Sequence, residues 1–168
     1  MSNKIMLLVD GGNAYNMQKG LPWRLDAYRL KEFVGQWGEI IDARYYLNIK
    51  NNEEKGAAAF RSVLSRIGYS IVPIIVKEIQ SNGCLIEKAN CDVRLALDAY
   101  IAHESYDMLV LVSGDSDFHY LVEVLKHRGK QVKVLCTSDM VSKELVEIVG
   151  SDFYDLNLYK RELKMLRG

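Results

Sequence analysis

The chain has 168 residues, 49% hydrophobic and 26% charged, and its 22 basic and 22 acidic side chains balance to a formal net charge of zero. That length and composition suit one soluble globular domain over residues 1–168, with a substantial core. Zero net charge excludes an overall basic field, so any contact with nucleic acid has to be made by a local patch.

In chain order, the first strand candidate is 5–10, the apolar run Ile5-Met6-Leu7-Leu8-Val9 ending in Asp10-Gly11-Gly12-Asn13. Leu30, Phe33, Val34 and Trp37 then recur with helical spacing, followed by a strand candidate at 40–49. Phe60, Val63, Leu64 and Ile67 repeat the helical spacing before a strand candidate at 69–77. Val76 to Glu87 reads as a small β-hairpin around Asn82-Gly83. Val93, Ala96, Leu97, Tyr100 and Ile101 predict a helix from about residue 92, with this stripe as its apolar face. A fourth strand candidate, 107–113, runs into Ser113-Gly114-Asp115-Ser116-Asp117-Phe118. Phe118, Leu121, Val122 and Leu125 mark another helix, 131–137 a fifth strand, and Leu158 to Arg167 a basic terminal helix carrying Leu163 and Leu166. Gly38, Gly68 and Gly129 stand where helices end and a left-handed cap is wanted. The alternation predicts an α/β fold with a parallel sheet, right-handed crossovers and flanking helices.

The cysteines Cys84, Cys91 and Cys136 are odd in number and form no CxxC pair, which argues against a disulfide framework and for a reduced, cytoplasmic setting. The first residues lack a signal-peptide pattern, and no apolar run approaches the ~20 residues of a membrane span, so no membrane partner is expected.

Two strands that end in aspartate carry the functional signal. Ligands of open parallel sheets bind at the carboxyl ends of strands, where the strand order reverses. If the strands before Asp10 and Asp115 are neighbours, their carboxylates share a crevice. Asp92 stands at a helix start, either as an N-cap or as a third member of the site, and Asp117 is divided between helix cap and ligand. At about 100° per residue, Asp98 points about 120° away from Asp92 and falls beside Arg94. Two carboxylates about 4 Å apart repel by roughly 4 kcal/mol at an effective dielectric near 20. A divalent cation relieves that repulsion, and oxygen ligands without converging His or Cys favour Mg²⁺ or Mn²⁺. His103, His119 and His127 are scattered and read as surface or satisfied histidines.

At Val9-Asp10-Gly11-Gly12-Asn13, Asn90-Cys91-Asp92-Val93 with Leu97-Asp98-Ala99, and Ser113-Gly114-Asp115-Ser116-Asp117-Phe118, the chain resembles the NYN domain family, in its LabA-like branch, among the PIN-like nucleases. The motifs follow the family's order and span most of the chain. The resemblance implies a Rossmann-like sheet in the order 3-2-1-4-5 and a metal-dependent ribonuclease site built from Asp10, Asp92, Asp115 and Asp117. Asn13 would orient Asp10 or contact substrate, and Ser113 would support the strand end. Members often carry Lys-Gly-Val-Asp before the second motif's helix; here it is Ala89-Asn90-Cys91-Asp92, with Lys88 one place further back.

The expected activity is hydrolysis of RNA, preferentially single-stranded, with Mg²⁺ or Mn²⁺. Candidates for holding the RNA backbone are Lys50, Lys88 and Arg94, with Tyr45, Tyr46 or Asn48 at the end of the second strand. The rival is a catalytically weak RNA-binding or regulatory module with the same pocket. An aspartyl phosphatase would need a carboxylate two residues after its nucleophile, and position 12 is Gly; a Toprim-like site would want Glu where the chain has Asp10. A homo-oligomer is compatible with the hairpin or the terminal helix as a contact surface.

Overall fold

The sheet grows outward from the strand with the most continuous apolar run. The structure is a computed structural model that describes residues 2–49, 55–75, 77–81, 84–88 and 91–166. β1 (Lys4–Asp10) pairs in parallel with β2 (Glu39–Ile49), and β3 (Ser70–Ile75) lies outside β2. The chain next forms an antiparallel pair, β4 (Lys77–Ser81) and β5 (Cys84–Lys88), apart from the main sheet. It then returns to the other side of β1 with β6 (Met108–Val112), followed outward by β7 (Gln131–Cys136) and β8 (Phe153–Asp155). The main sheet is parallel throughout, in the order β3-β2-β1-β6-β7-β8.

The five expected strands are present, and the expected order 3-2-1-4-5 holds with a short sixth strand added at one edge. The hairpin expected near 76–87 is the β4–β5 pair, closed by Ser81 opposite Cys84; Asn82 and Gly83 lie outside the described residues.

Among the described residues the helices are α1 (Gly11–Gly20), α2 (Ala27–Gly35), α3 (Lys55–Ile67), α4 (Cys91–Ile101), α5 (His119–His127), α6 (Lys143–Val149) and α7 (Lys160–Leu163). They cover both sheet faces, which explains why β1 and β6 are apolar at every central position. Ile5, Leu7 and Val9 join a core with Leu30, Phe33 and Val34 of α2 and Leu64 of α3. Met6 and Leu8 point the other way, into a core with Leu95 and Ala99 of α4, Leu121, Val122 and Leu125 of α5, and Leu145 of α6. Each such fully buried side chain contributes about 1.5–3 kcal/mol of transfer free energy. Gly68 and Gly129 take left-handed backbone (φ 89° and 75°) at the ends of α3 and α5, as expected; at Gly38 the demand is space, because a Cβ would collide with the Asn3 carbonyl.

Two expectations change. The face of α4 against the sheet is Cys91, Leu95 and Ala99, so the stripe Val93, Leu97, Tyr100 and Ile101 points outward. The terminal helix is shorter than expected: a 3₁₀ turn at Leu156–Tyr159 leads into α7, which stops at Leu163. There the Leu163 carbonyl accepts from the Asp26 N–H and Lys164 bridges to Leu25, so Leu163 is buried and Leu166 exposed.

The start of α1 packs tightly on β2. A Cβ on Gly11 would collide with the Tyr46 carbonyl oxygen, whereas a Cβ on Gly12 would meet only Asp10 Oδ1 at 3.5 Å and Asn48 Nδ2 at 3.8 Å. Gly11→Ala is therefore expected to cost about 1–3 kcal/mol of stability. Gly12→Ala is expected to stay within about 0.5 kcal/mol of wild type or to gain slightly. Urea denaturation of the two variants side by side checks the contrast.

Candidate functional site

The chain builds β1, β2 and β3 to one side, then crosses over and builds β6, β7 and β8 to the other. The switch point of the sheet thus lies between the carboxyl ends of β1 and β6. The register pairs Val9 with Val112, which sets the next residues, Asp10 and Ser113, beside one another.

Asp10 is only 6% exposed. Its Oδ1 accepts the Asn13 backbone N–H at 3.1 Å, capping α1, and its Oδ2 accepts the Ser113 hydroxyl at 3.0 Å. Asp10 is both a helix cap and a strand-end carboxylate. Burial pushes its pKa above the ordinary carboxylate value; the bonds from Asn13, Ser113 and Gly12 pull it back, and the Asp115 charge raises it further.

Asn13 orients Asp10 through its backbone, while its side-chain Oδ1 accepts the Gly114 N–H at 3.1 Å. Ser113 is fully buried; its Oγ donates to Asp10 and accepts the Asp115 N–H at 3.3 Å. Asp115 caps the short 3₁₀ turn Ser116–Phe118, its Oδ1 accepting the Asp117 N–H at 3.0 Å. The cap at this turn is therefore Asp115 and not Asp117. Phe118, fully buried, anchors the turn.

Asp92 sits in the first turn of α4, one residue inside it, where the helix dipole favours negative charge. Carboxylate oxygens of Asp92, Asp115 and Asp117 lie within 4.8 Å of one another. No cation whose side chain is described forms an ion pair with any of the three. Burial, then the charges of Asp10, Asp115 and Asp117, push the Asp92 pKa up to about 6. Asp10 is not among these three; its oxygens accept from Asn13 and Ser113, and its charge acts on Asp92.

The remaining candidates sit apart from this group. Asp98 faces away from Asp92: its Oδ2 accepts from Tyr46 Oη at 2.9 Å and pairs with Arg44 Nη1 at 3.3 Å and Arg94 Nε at 3.5 Å. Arg94 is thereby turned to Asp98. Tyr45 and Tyr46 are buried, Tyr45 edge-on to Phe60 and Tyr69, while Asn48 is exposed near the start of α1. Lys50 and the Lys88 side chain lie outside the described residues.

Two residues beneath the site fall outside the expected set of site residues, Cys91 within the second motif and Cys136 in none. The Cys91 thiol points at Asp10 Oδ1 and the Cys136 thiol at Asn13 Oδ1, each at 4.0 Å. Both are buried and, mainly through burial, pushed up to about 12, so they form a neutral floor. Their only signal in sequence is position, one at a helix start and one at a strand end.

A model of the NYN domain matches residues 4–157. The chain is similar to the low amplitude and bright protein LabA of Synechococcus elongatus, with 29% identity over 160 residues, covering 92% of this chain and 84% of that one. It is also similar to an uncharacterized protein of Methanocaldococcus jannaschii, 25% identical over 159 residues; the match covers 90% of this chain and 57% of the archaeal one. A crystal structure of a protein of unknown function from Vibrio parahaemolyticus superposes with a TM-score of 0.81 at 25% identity, covering 98% of this chain and 97% of that one.

The raised Asp92 pKa has a sign that can be checked. An unfolded aspartate titrates near 3.9, so the native state holds this proton more tightly, and stability from this group falls as pH rises from about 4 to about 6. In chelator, wild type minus Asp92→Asn should lose about 1 kcal/mol between pH 4 and pH 7, after discounting for solvent screening. Urea midpoints across that range give the difference.

Proposed function

The chain belongs to the NYN domain family, in its LabA-like branch, and from that premise we propose that it is a divalent-cation-dependent endoribonuclease of the PIN-like type, acting on single-stranded RNA. The observation that carries this reading is the convergence of Asp92, Asp115 and Asp117 within 4.8 Å at the switch point, with no described cation paired to them. The donor set fits Mg²⁺ or Mn²⁺: the oxygens are hard, and the two nearby thiols stay protonated and point at Asp10 and Asn13. Such an ion supplies a Lewis acid for the phosphodiester and offsets the charge that develops on it.

The chain's own residues do the positioning. β6 and the pinned Ser116–Phe118 turn fix Asp115 and Asp117, while α4 brings Asp92 from the opposite side. Asp10 stays behind them and holds the carboxyl ends of β1 and β6 together through Ser113. The neighbouring carboxylates that raise the Asp92 pKa are the charges a bound divalent cation would offset, so cation binding would hold Asp92 ionised. Lys50 and Lys88 are the basic residues proposed for the RNA backbone, together with Asn48; Arg94 is engaged by Asp98. Free, buried Cys91 and Cys136 suit a reducing cytoplasm. Among the described residues no helix is long and apolar enough to cross a membrane.

A second reading is a regulatory module that turns over slowly: zero net charge weakens attraction for phosphate, so productive RNA binding has to rest on local cations alone. Steeply salt-dependent RNA binding without product identifies it.

Asp115→Asn is expected to lower Mn²⁺-dependent cleavage of a labelled single-stranded RNA by about 10²-fold or more, as loss of a charged positioning group does. Ser113→Ala, which leaves Asp10 Oδ2 without its donor, should cost less in rate and more in stability, about 1–3 kcal/mol. Equal cleavage by wild type and Asp115→Asn, in preparations free of contaminating nuclease, would falsify the assignment.

A further inference from the structure

We propose that the outward face of α4 is a self-association surface on which two copies of the chain pair with their α4 helices antiparallel. At about 100° per residue, Val93, Leu97, Tyr100 and Ile101 fall within one sector of the helix, opposite the buried Cys91, Leu95 and Ala99. Val93 is 61% exposed, Leu97 53% and Ile101 75%. Tyr100 is covered on one side by Arg128, which donates to its hydroxyl at 2.6 Å, and by the stacked His103, so the open row is Val93, Leu97 and Ile101. Single exposed apolar side chains are ordinary, whereas such a row along a helix suits docking. Its length is the length of the helix, and its row at positions 93, 97 and 101 is symmetric about Leu97, so the surface complements itself.

The charges beside the stripe select the partner and the direction. Tyr46, Arg44 and Arg94 all converge on Asp98 Oδ2, and Oδ1 receives none of those contacts. Asp98 is held in place by Tyr46 and Arg44, whereas Arg94 has the longest of the three contacts and is 58% exposed. An antiparallel pair centred on Leu97 sets Val93 of each copy against Ile101 of the other. Like flanks of the two helices then meet, and each Arg94 comes alongside the other copy's Asp98. A parallel pair puts the two Arg94–Asp98 flanks on opposite sides of the contact, where they cannot meet. A single helix face is small for a specific interface, so the expected dissociation constant is weak, on the order of 10–100 µM.

Sedimentation velocity of the full chain, from micromolar to several hundred micromolar, tests this. Wild type is expected to shift reversibly from monomer to dimer. Leu97→Arg, a change at an exposed position, should stay monomeric throughout with unchanged circular dichroism, and Arg94→Ala should weaken the dimer about fivefold. Leu97→Cys should form a covalent dimer under mild oxidation, against wild type as the control for native thiols. A wild-type monomer over the whole range, or a Leu97→Arg variant that associates like wild type, overturns the proposal.

Discussion

The hydrogen bond from the Ser113 hydroxyl to the buried Asp10 carboxylate is the constraint on which the rest of the site depends. It joins the ends of two neighbouring strands at the point where the sheet changes direction. On one side Asp10 caps α1; on the other Ser113 receives the Asp115 N–H. Asn13 closes the ring by accepting the Gly114 N–H. Burying a carboxylate is unfavourable unless donors surround it, and here the donors come from both strand ends. The group that is most costly to bury therefore also sets the spacing of the loops that carry Asp115 and Asp117.

Division of labour among the aspartates follows from solvent access. Asp10 is buried and accepts hydrogen bonds from both strand ends. Asp92, Asp115 and Asp117 reach water and face one another, and their mutual repulsion is left in the fold. A structure tolerates that repulsion where a cation or a substrate group offsets it. The tight packing of Gly114 reinforces the arrangement: a Cβ there would lie 2.5 Å from Cys136 Sγ and 2.8 Å from the Met140 carbonyl oxygen, so the loop that carries Asp115 sits close on the end of β7.

Much of this was legible in the residues. Continuous apolar runs identify β1 and β6 because both faces are covered, and the aspartates at their ends locate the switch point. The geometry of Asp98 and Arg94 follows from helical spacing alone. β8 was not legible, since Phe153-Tyr154-Asp155 is too short to show a period. The buried face of α4 was misread for a physical reason: that helix has two apolar sides, and its bulkier residues are on the outer one. Periodicity finds a stripe and does not say what covers it. The capping role of Asp115 in place of Asp117 depends on a turn conformation that spacing does not reveal.

The central place of β1 also has a kinetic consequence. Its register partner in β6 lies about a hundred residues later in the chain, with Ile5 opposite Met108. During synthesis at about 5–20 residues per second, this apolar strand therefore waits for several seconds before its second neighbour exists. β2 can cover one edge early, and α2 and α3 one face, but the other edge and the face of Met6 and Leu8 stay open until α4 and β6 emerge. Parallel pairing over such a separation folds slowly. The arrangement that brings two strand ends together at the switch point thus also leaves an apolar strand edge open on the nascent chain, the kind of surface that aggregates unless it is covered.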